Sequence, residues 1–182
     1  MKWSDIPGWF DFQDIYRDAV AEAKDGDVLV ELGTYLGQSA AFMAECIKNS
    51  GKKLKFYAVD LFQHTDDNDH KEVNRDIFTQ FWHNMELCGV SEYIIPLKMS
   101  TAEAAAYLEE KEGQLDFVFV DANHTYPYVK ADLENYLPLI KPGGVLSGHD
   151  IYFESVRKAV DEVLPKAEIL PSCFFYRVPS IG

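Results

Sequence analysis

Basic residues are scarce in this chain: 17 Lys and Arg stand against 30 Asp and Glu, a net charge of −13 over 182 residues. Such a surface repels a phosphate backbone, and no basic stripe interrupts the acidity, so nucleic acid is not expected as a partner. Cysteine is scarce as well. Cys46, Cys88 and Cys173 are odd in number, far apart and set in apolar or helical surroundings, and they read as buried thiols rather than disulfides or zinc ligands. No apolar run approaches the length of a membrane span, and Trp3, Asp5 and Pro7 stand where a signal peptide needs a basic start and an apolar stretch. These absences predict no membrane association and a cytoplasmic, reducing setting, while self-association into a homo-oligomer stays open. Internal repeats are also lacking.

What is present is apolar material, 47% of the residues, enough for one substantial core without a linker. The expectation is a single domain over 1–182, with residues 1–25 as a lead-in segment and 26–182 as the core. Asp11 to Lys24 carries Phe12, Ile15, Tyr16, Ala19, Val20 and Ala23 at helical spacing, and Asp25-Gly26-Asp27 stops it. Strands are predicted at 27–33, 54–60, 92–97, 115–121 and 144–148, with helices near 38–49, 74–88, 101–111, 127–139 and 152–163. That alternation specifies an α/β sheet. After Pro165, segments 167–170 and 173–178 flank Pro171-Ser172, a link too short for a parallel crossover, so they should form an antiparallel hairpin. Residues 62–73, with Asp66, Asp67 and Asp69, read as an exposed acidic loop.

In an open parallel sheet, ligands gather beyond the carboxyl ends of the strands. The first strand runs into Glu31-Leu32-Gly33-Thr34-Tyr35-Leu36-Gly37-Gln38-Ser39, a glycine turn that opens a helix and aims backbone N–H groups over the strand end. A dinucleotide site needs G-x-G-x-x-G, and Glu31 stands where its first glycine would be. The second strand closes on Asp60-Leu61, where a carboxylate can either accept two ribose hydroxyls or stand as a solvated strand-end acid. Met99-Ser100-Thr101 after the third offers an apolar surface with polar groups, and Ser100 or Thr101 equally suits a helix N-cap with Glu103 in the first turn. Strand four ends in Asp121-Ala122-Asn123-His124, and its neighbour ends in Gly148-His149-Asp150. Paired strands lie about 4.8 Å apart, so Asp121, His149 and Asp150 can converge, and oxygen-rich ligands suit a divalent cation such as Mg2+. The competing expectation is that Asp150 caps the next helix while His149 packs against a lid formed by Trp3, Trp9 and Phe10.

The E-x-G-x-x-x-G turn resembles the first motif of the class I S-adenosylmethionine methyltransferases. Asp121 with Ala122-Asn123-His124, then Gly143-Gly144 and His149-Asp150, resembles the metal-dependent O-methyltransferases, both the catechol type and the type that methylates macrolide sugars and other antibiotic precursors. The resemblance covers roughly residues 25–178. It implies a Rossmann-like, seven-stranded, mostly parallel sheet with helices on both faces and a C-terminal antiparallel hairpin. It further implies S-adenosylmethionine held by Glu31, Gly33, Thr34, Tyr35, Gly37, Ser39, Asp60, Leu61, Met99, Ser100 and Asp121, with a metal on Asp121, His149 and Asp150. The chain departs from the catechol type where His124 replaces a Lys and where His149-Asp150 replaces Asp-Asn. The expected reaction is methyl transfer to a small-molecule hydroxyl, with His124 beside Asp121 as proton acceptor. His124 could instead only brace the Asp121 loop. Trp9, Tyr126 and Tyr152 are candidates to line the acceptor pocket; Trp3, Trp9 and Phe10 either form a lid or pack under the sheet edge. His64, His70 and His83 read as structural or solvated. A metal-free methyltransferase, an aminopropyltransferase and a non-catalytic binding module are the competing functions.

Overall fold

Alternating side chains along the strands make a sheet that is apolar on both faces, and helices cover each. In β4 (Leu115–Val120), Phe117 and Phe119 face one layer and Val118 and Val120 the other; β1 (Val28–Leu32) and β2 (Lys55–Asp60) divide in the same way. The Phe117 and Phe119 side packs against α1 (Gln13–Glu22), α2 (Gln38–Ser50) and α3 (Ile77–Cys88). The opposite side packs against α4 (Thr101–Glu112), α5 (Tyr126–Tyr136) and α6 (Glu154–Val163). This computed structural model describes residues 1–63 and 76–180. The greater part of the expected acidic loop, with His64 and His70, lies outside the described residues. No described helix is long and apolar enough to cross a membrane.

With β3 (Ile95–Lys98), β5 (Ile140–Gly148), β6 (Glu168–Ile169) and β7 (Phe174–Arg177), the sheet has seven strands in the order β3-β2-β1-β4-β5-β7-β6. The first five are parallel, and β7 runs antiparallel to both β5 and β6, which is the expected terminal hairpin. Strand order reverses between β1 and β4, so the crevice beyond their carboxyl ends is the switch point where such sheets bind ligands.

Boundaries differ from expectation where local chemistry intervenes. β3 starts at Ile95 because Ser91–Tyr93 form a 3-10 turn, and its Pro96 is tolerated on an edge strand. α5 ends at Tyr136, and Leu137–Leu139 continue as a 3-10 turn around Pro138, which has no N–H to donate. β5 begins at Ile140, four residues early, with a register irregularity against β4. α4 opens with a capping box in which Ser100 Oγ accepts from Glu103 N and Glu103 Oε2 accepts from Ser100 N. All three cysteines are free thiols, Cys173 buried and the others half-buried.

Candidate active site

The turn after β1 is wedged between its neighbours. Gly33 N donates to Val59 O and Asp121 N to Leu32 O, each at 2.8 Å. Gly33 sits at φ +85°, and a Cβ there would lie 2.6 Å from Ala122 Cα and closer still to the Asp121 carbonyl oxygen. Only glycine fits so near another backbone. Thr34 is buried, and Gly37 N-caps α2 in the left-handed region, so α2 opens without a side-chain cap among the described residues. Asp60 ties the turn down: its Oδ2 accepts from Thr34 N at 2.9 Å and Tyr35 N at 2.8 Å, and its Oδ1 from Phe62 N at 2.6 Å. Tyr35 and Phe62 hold positive φ on either side of that carboxylate, the local strain that recurs at ligand sites.

Glu31 projects from β1 into the α1–α2 layer and is fully buried. Ser39 Oγ donates to its Oε1, while Oε2 has no hydrogen-bond partner among the described residues; the Tyr16 hydroxyl faces it outside bonding geometry. Burial pushes the Glu31 carboxyl up to about 8; Ser39 opposes the rise, and the charges of Asp121 and Asp60 add to it. A buried, unsatisfied carboxylate oxygen costs on the order of 1–3 kcal/mol, a demand that a donor or cationic group in the crevice would meet. The turn therefore fits a ligand that brings an amine to Glu31 and an anionic group to the first amides of α2.

The ends of β4 and β5 bring carboxylates and imidazoles together. His124 Nε2 lies 2.8 Å from Asp150 Oδ2 and 3.6 Å from Asp121 Oδ1; His149 Nδ1 lies 3.6 Å from Asp121 Oδ1 and 3.4 Å from Asp150 Oδ1. Asp121, His124 and Asp150 each offer a ligand atom, all within 4.8 Å of one another. This donor set fits a divalent cation, with His149 Nδ1 as a further nitrogen at its edge. Hydrogen bonding to Asp121 and Asp150 pushes His124 up to about 10, so the imidazole carries a proton between two carboxylates. For His149 burial works against the charged form, but Asp121, Asp150 and Asp11 outweigh it and the pKa rises. Asp150 is raised by its burial and lowered by His124 and Tyr152, with a net fall. It also holds φ +59°, and Tyr152 donates to its Oδ1.

Trp9 and Tyr152 are exposed, Trp9 with its ring 6.3 Å from Tyr35 and Tyr152 with its ring 6.3 Å from His149, on the two flanks of the site. Tyr126 is directed elsewhere: its hydroxyl donates to Glu162 of α6 at 2.6 Å, and Lys158 lies over its ring. Trp3 and Phe10 pack on Phe42 of α2, under the first layer rather than over the crevice. Leu61 is exposed beside Asp60, and Met99 N donates to Asp60 O at 3.1 Å. Ser100 spends its groups on the α4 capping box. His83 is on the exposed face of α3. Two residues are absent from the sequence-based set. Phe153 lies tilted beside His124, ring centroids 5.7 Å apart, and Asp11 Oδ1 lies 3.0 Å from His149 Nε2. For Asp11 no sequence signal existed, since it precedes His149 by 138 residues.

A family model for a methyltransferase domain matches residues 30–151. The uncharacterized protein y4gI of Sinorhizobium fredii is 29% identical over 123 residues, which make up 67% of this chain but only 13% of that protein. Among solved structures, the O-methyltransferase NovP aligns with a TM-score of 0.68 at 16% identity, over 92% of this chain and 79% of that one. TomG from Streptomyces achromogenes, an O-methyltransferase involved in tomaymycin synthesis and solved with S-adenosylmethionine, aligns at 0.68 and 14% identity, over 97% and 85%. An O-methyltransferase from Bacillus cereus, solved with S-adenosylhomocysteine, aligns at 0.68 and 12%, over 96% and 85%. At these identities the structural likeness is one of fold.

Proposed function

The chain belongs to the methyltransferase-domain family, and from that premise we propose that it transfers the methyl group of S-adenosylmethionine to a hydroxyl of a small molecule, with a divalent cation assisting. The observation that carries this reading is the contact between the Gly33 turn and the Asp121–Ala122 backbone, which makes the ligand cradle and the Asp/His cluster contiguous. Glu31 Oε2 would take the ammonium of the methionine moiety, and the Thr34, Tyr35 and first-turn α2 amides would face its carboxylate. Asp60 would take the ribose, with Leu61 beside it and Met99 against the adenine. A carboxylate offers about four lone-pair directions, and three on Asp60 are filled by backbone donors. Accepting two hydroxyls therefore requires at least one of those donors to let go.

Bound S-adenosylmethionine supplies a methyl carbon already activated for displacement, so the protein's task is alignment and proton removal. Asp121, Asp150 and His149 would hold the cation, which would supply charge to offset the two carboxylates and favour ionisation of the acceptor. His124, the exposed member of the cluster, would give up its own proton as its pairing with those carboxylates weakens and would take the acceptor's proton. Trp9, Tyr152 and Phe153 supply aromatic surface for a flat or cyclic acceptor. A metal-free form of the same reaction has one observation in its favour: the His124 imidazolium, 2.8 Å from Asp150, already offsets part of the charge of the paired carboxylates.

The test is incubation with S-adenosylmethionine and a panel of phenols, catechols and hydroxylated sugars, read by mass spectrometry with and without chelator. Methylated product and stoichiometric S-adenosylhomocysteine, both lost on chelation, are expected. Turnover that survives chelation selects the metal-free form, and transfer only to nitrogen or to no member of the panel overturns the hydroxyl assignment.

A further inference from the structure

Asp11 belongs to the arm that precedes α1, yet it reaches the far side of the cluster. Its Oδ1 accepts from Ser172 Oγ at 3.1 Å and lies 3.0 Å from His149 Nε2. A carboxylate accepts, so His149 Nε2 donates, and the lone pair of a neutral ring is left on Nδ1. That nitrogen is the atom facing Asp121 and Asp150, at 3.6 and 3.4 Å. Adjacent ligands of one ion with bonds of about 2.1 Å lie roughly 3.0–3.4 Å apart, so each carboxylate oxygen stands within a few tenths of an ångström of the spacing from Nδ1 that a shared ion requires. The ring itself cannot turn easily: His149 is 7% exposed, and Phe12 lies against it at 4.9 Å. His124 contrasts at each point. It is exposed, and no described residue holds its Nδ1 from behind.

We infer that Asp11 is a positioning residue that fixes His149 as a nitrogen ligand, and that the site it completes takes a nitrogen-seeking divalent transition ion, of the Fe2+, Co2+ and Zn2+ class, rather than Mg2+. The inference rests on the cation-assisted reading above. Two carboxylate oxygens alone would suit Mg2+, but an imidazole locked in the ligand tautomer shifts the preference toward softer ions. The arrangement is a carboxylate–histidine–metal relay, in which the outer carboxylate orients the ring and raises its basicity. It also ties the N-terminal arm, at Asp11, to the metal side of the crevice.

The test uses the full chain and three probes: Co2+ followed by its visible d–d absorption, Mg2+ by calorimetry, and S-adenosylmethionine by calorimetry on the same preparation. Co2+ should bind at least about tenfold more tightly than Mg2+. Asp11→Ala should weaken Co2+ by about 10–100-fold while Mg2+ moves by less than about twofold, and Asp11→Asn, whose amide oxygen still accepts, should recover most of the loss. Nitrogen-15 spectra of labelled histidine should show His149 protonated on Nε2 in the parent and mixed between tautomers in Asp11→Ala. His149→Asn should remove the Co2+ preference. Equal Co2+ and Mg2+ affinities, or parental Co2+ affinity and tautomer in Asp11→Ala, overturn the inference even if S-adenosylmethionine binds. Failure of S-adenosylmethionine to bind the parent defeats the proposed function instead, and leaves the Co2+ result to be judged on its own.

Discussion

Gly33→Ala should destabilise the protein and abolish cofactor binding together, because both depend on one backbone contact. The left-handed conformation costs a non-glycine residue roughly 1–2 kcal/mol. The new methyl would also sit 2.6 Å from Ala122 Cα and against the Asp121 carbonyl, atoms that cannot rotate away, and overpacking of this kind adds about 1–3 kcal/mol. The sum, about 2–5 kcal/mol, is a sizeable part of the 5–15 kcal/mol that typically holds a domain together. At roughly 2–4 °C per kcal/mol for a chain of this size, the melting temperature should fall by about 4–20 °C. Gly26→Ala isolates the contact: Gly26 has φ +93° but nothing within 4 Å of a Cβ, so only the conformational cost applies. Denaturant titration of both variants, paired with calorimetric titration of S-adenosylmethionine, reads the difference. A Gly33→Ala protein no less stable than Gly26→Ala, or one that binds the cofactor as the parent does, would falsify the wedged-turn argument.

Two further outcomes concern stability away from the crevice. Asp132 is 3% exposed on α5, and burial pushes its carboxyl up to about 6; its unfolded value is near 3.9. The folded state therefore holds the extra proton between those values, and stability falls as pH rises through that window and stays reduced above it. Asp132→Asn should relieve up to about 3 kcal/mol at pH 8 and almost nothing at pH 4, which paired urea titrations would show; equal effects at both pH values would contradict the assignment. Ser100→Ala removes the α4 capping box and should cost about 1 kcal/mol, seen as a melting temperature lower by roughly 2–4 °C. An unchanged melting curve would mean the cap contributes nothing.

The half of the site built from strand ends was legible in the sequence, because β strands announce themselves by composition and the residue after each apolar run falls at the carboxyl edge. Glu31, Asp60, Asp121 and Asp150 all follow that logic, and strand pairing then brings them together. Side-chain direction was less legible. Tyr126 follows Asp121 by five positions, yet as the first residue of α5 it faces α6 and Glu162. Ser100 supported both a cofactor role and a cap, and the structure shows the cap. Contacts between distant segments were not legible at all. Asp11 reads as an ordinary helix-preceding acid until the fold lays its arm across the end of β5. Likewise the sequence places His149 beside Asp150 but gives no sign of which ring nitrogen faces the carboxylates. The extra length of β5 and the late start of β3 escaped for a related reason, since glycine and proline within a strand weaken the local signal that tertiary pairing then overrides.

If the Gly33 turn and the Asp121–Asp150 cluster form one active site, a crystal structure of the protein grown with S-adenosylhomocysteine and the divalent ion it prefers should place both ligands side by side. The ribose should lie on Asp60, the amine against Glu31, the ion on Asp121 and Asp150, and the sulfur should be directed at the space between ion and His124. A nucleoside bound away from Gly33, or one in the cradle with its sulfur turned away from the cluster, would contradict that arrangement.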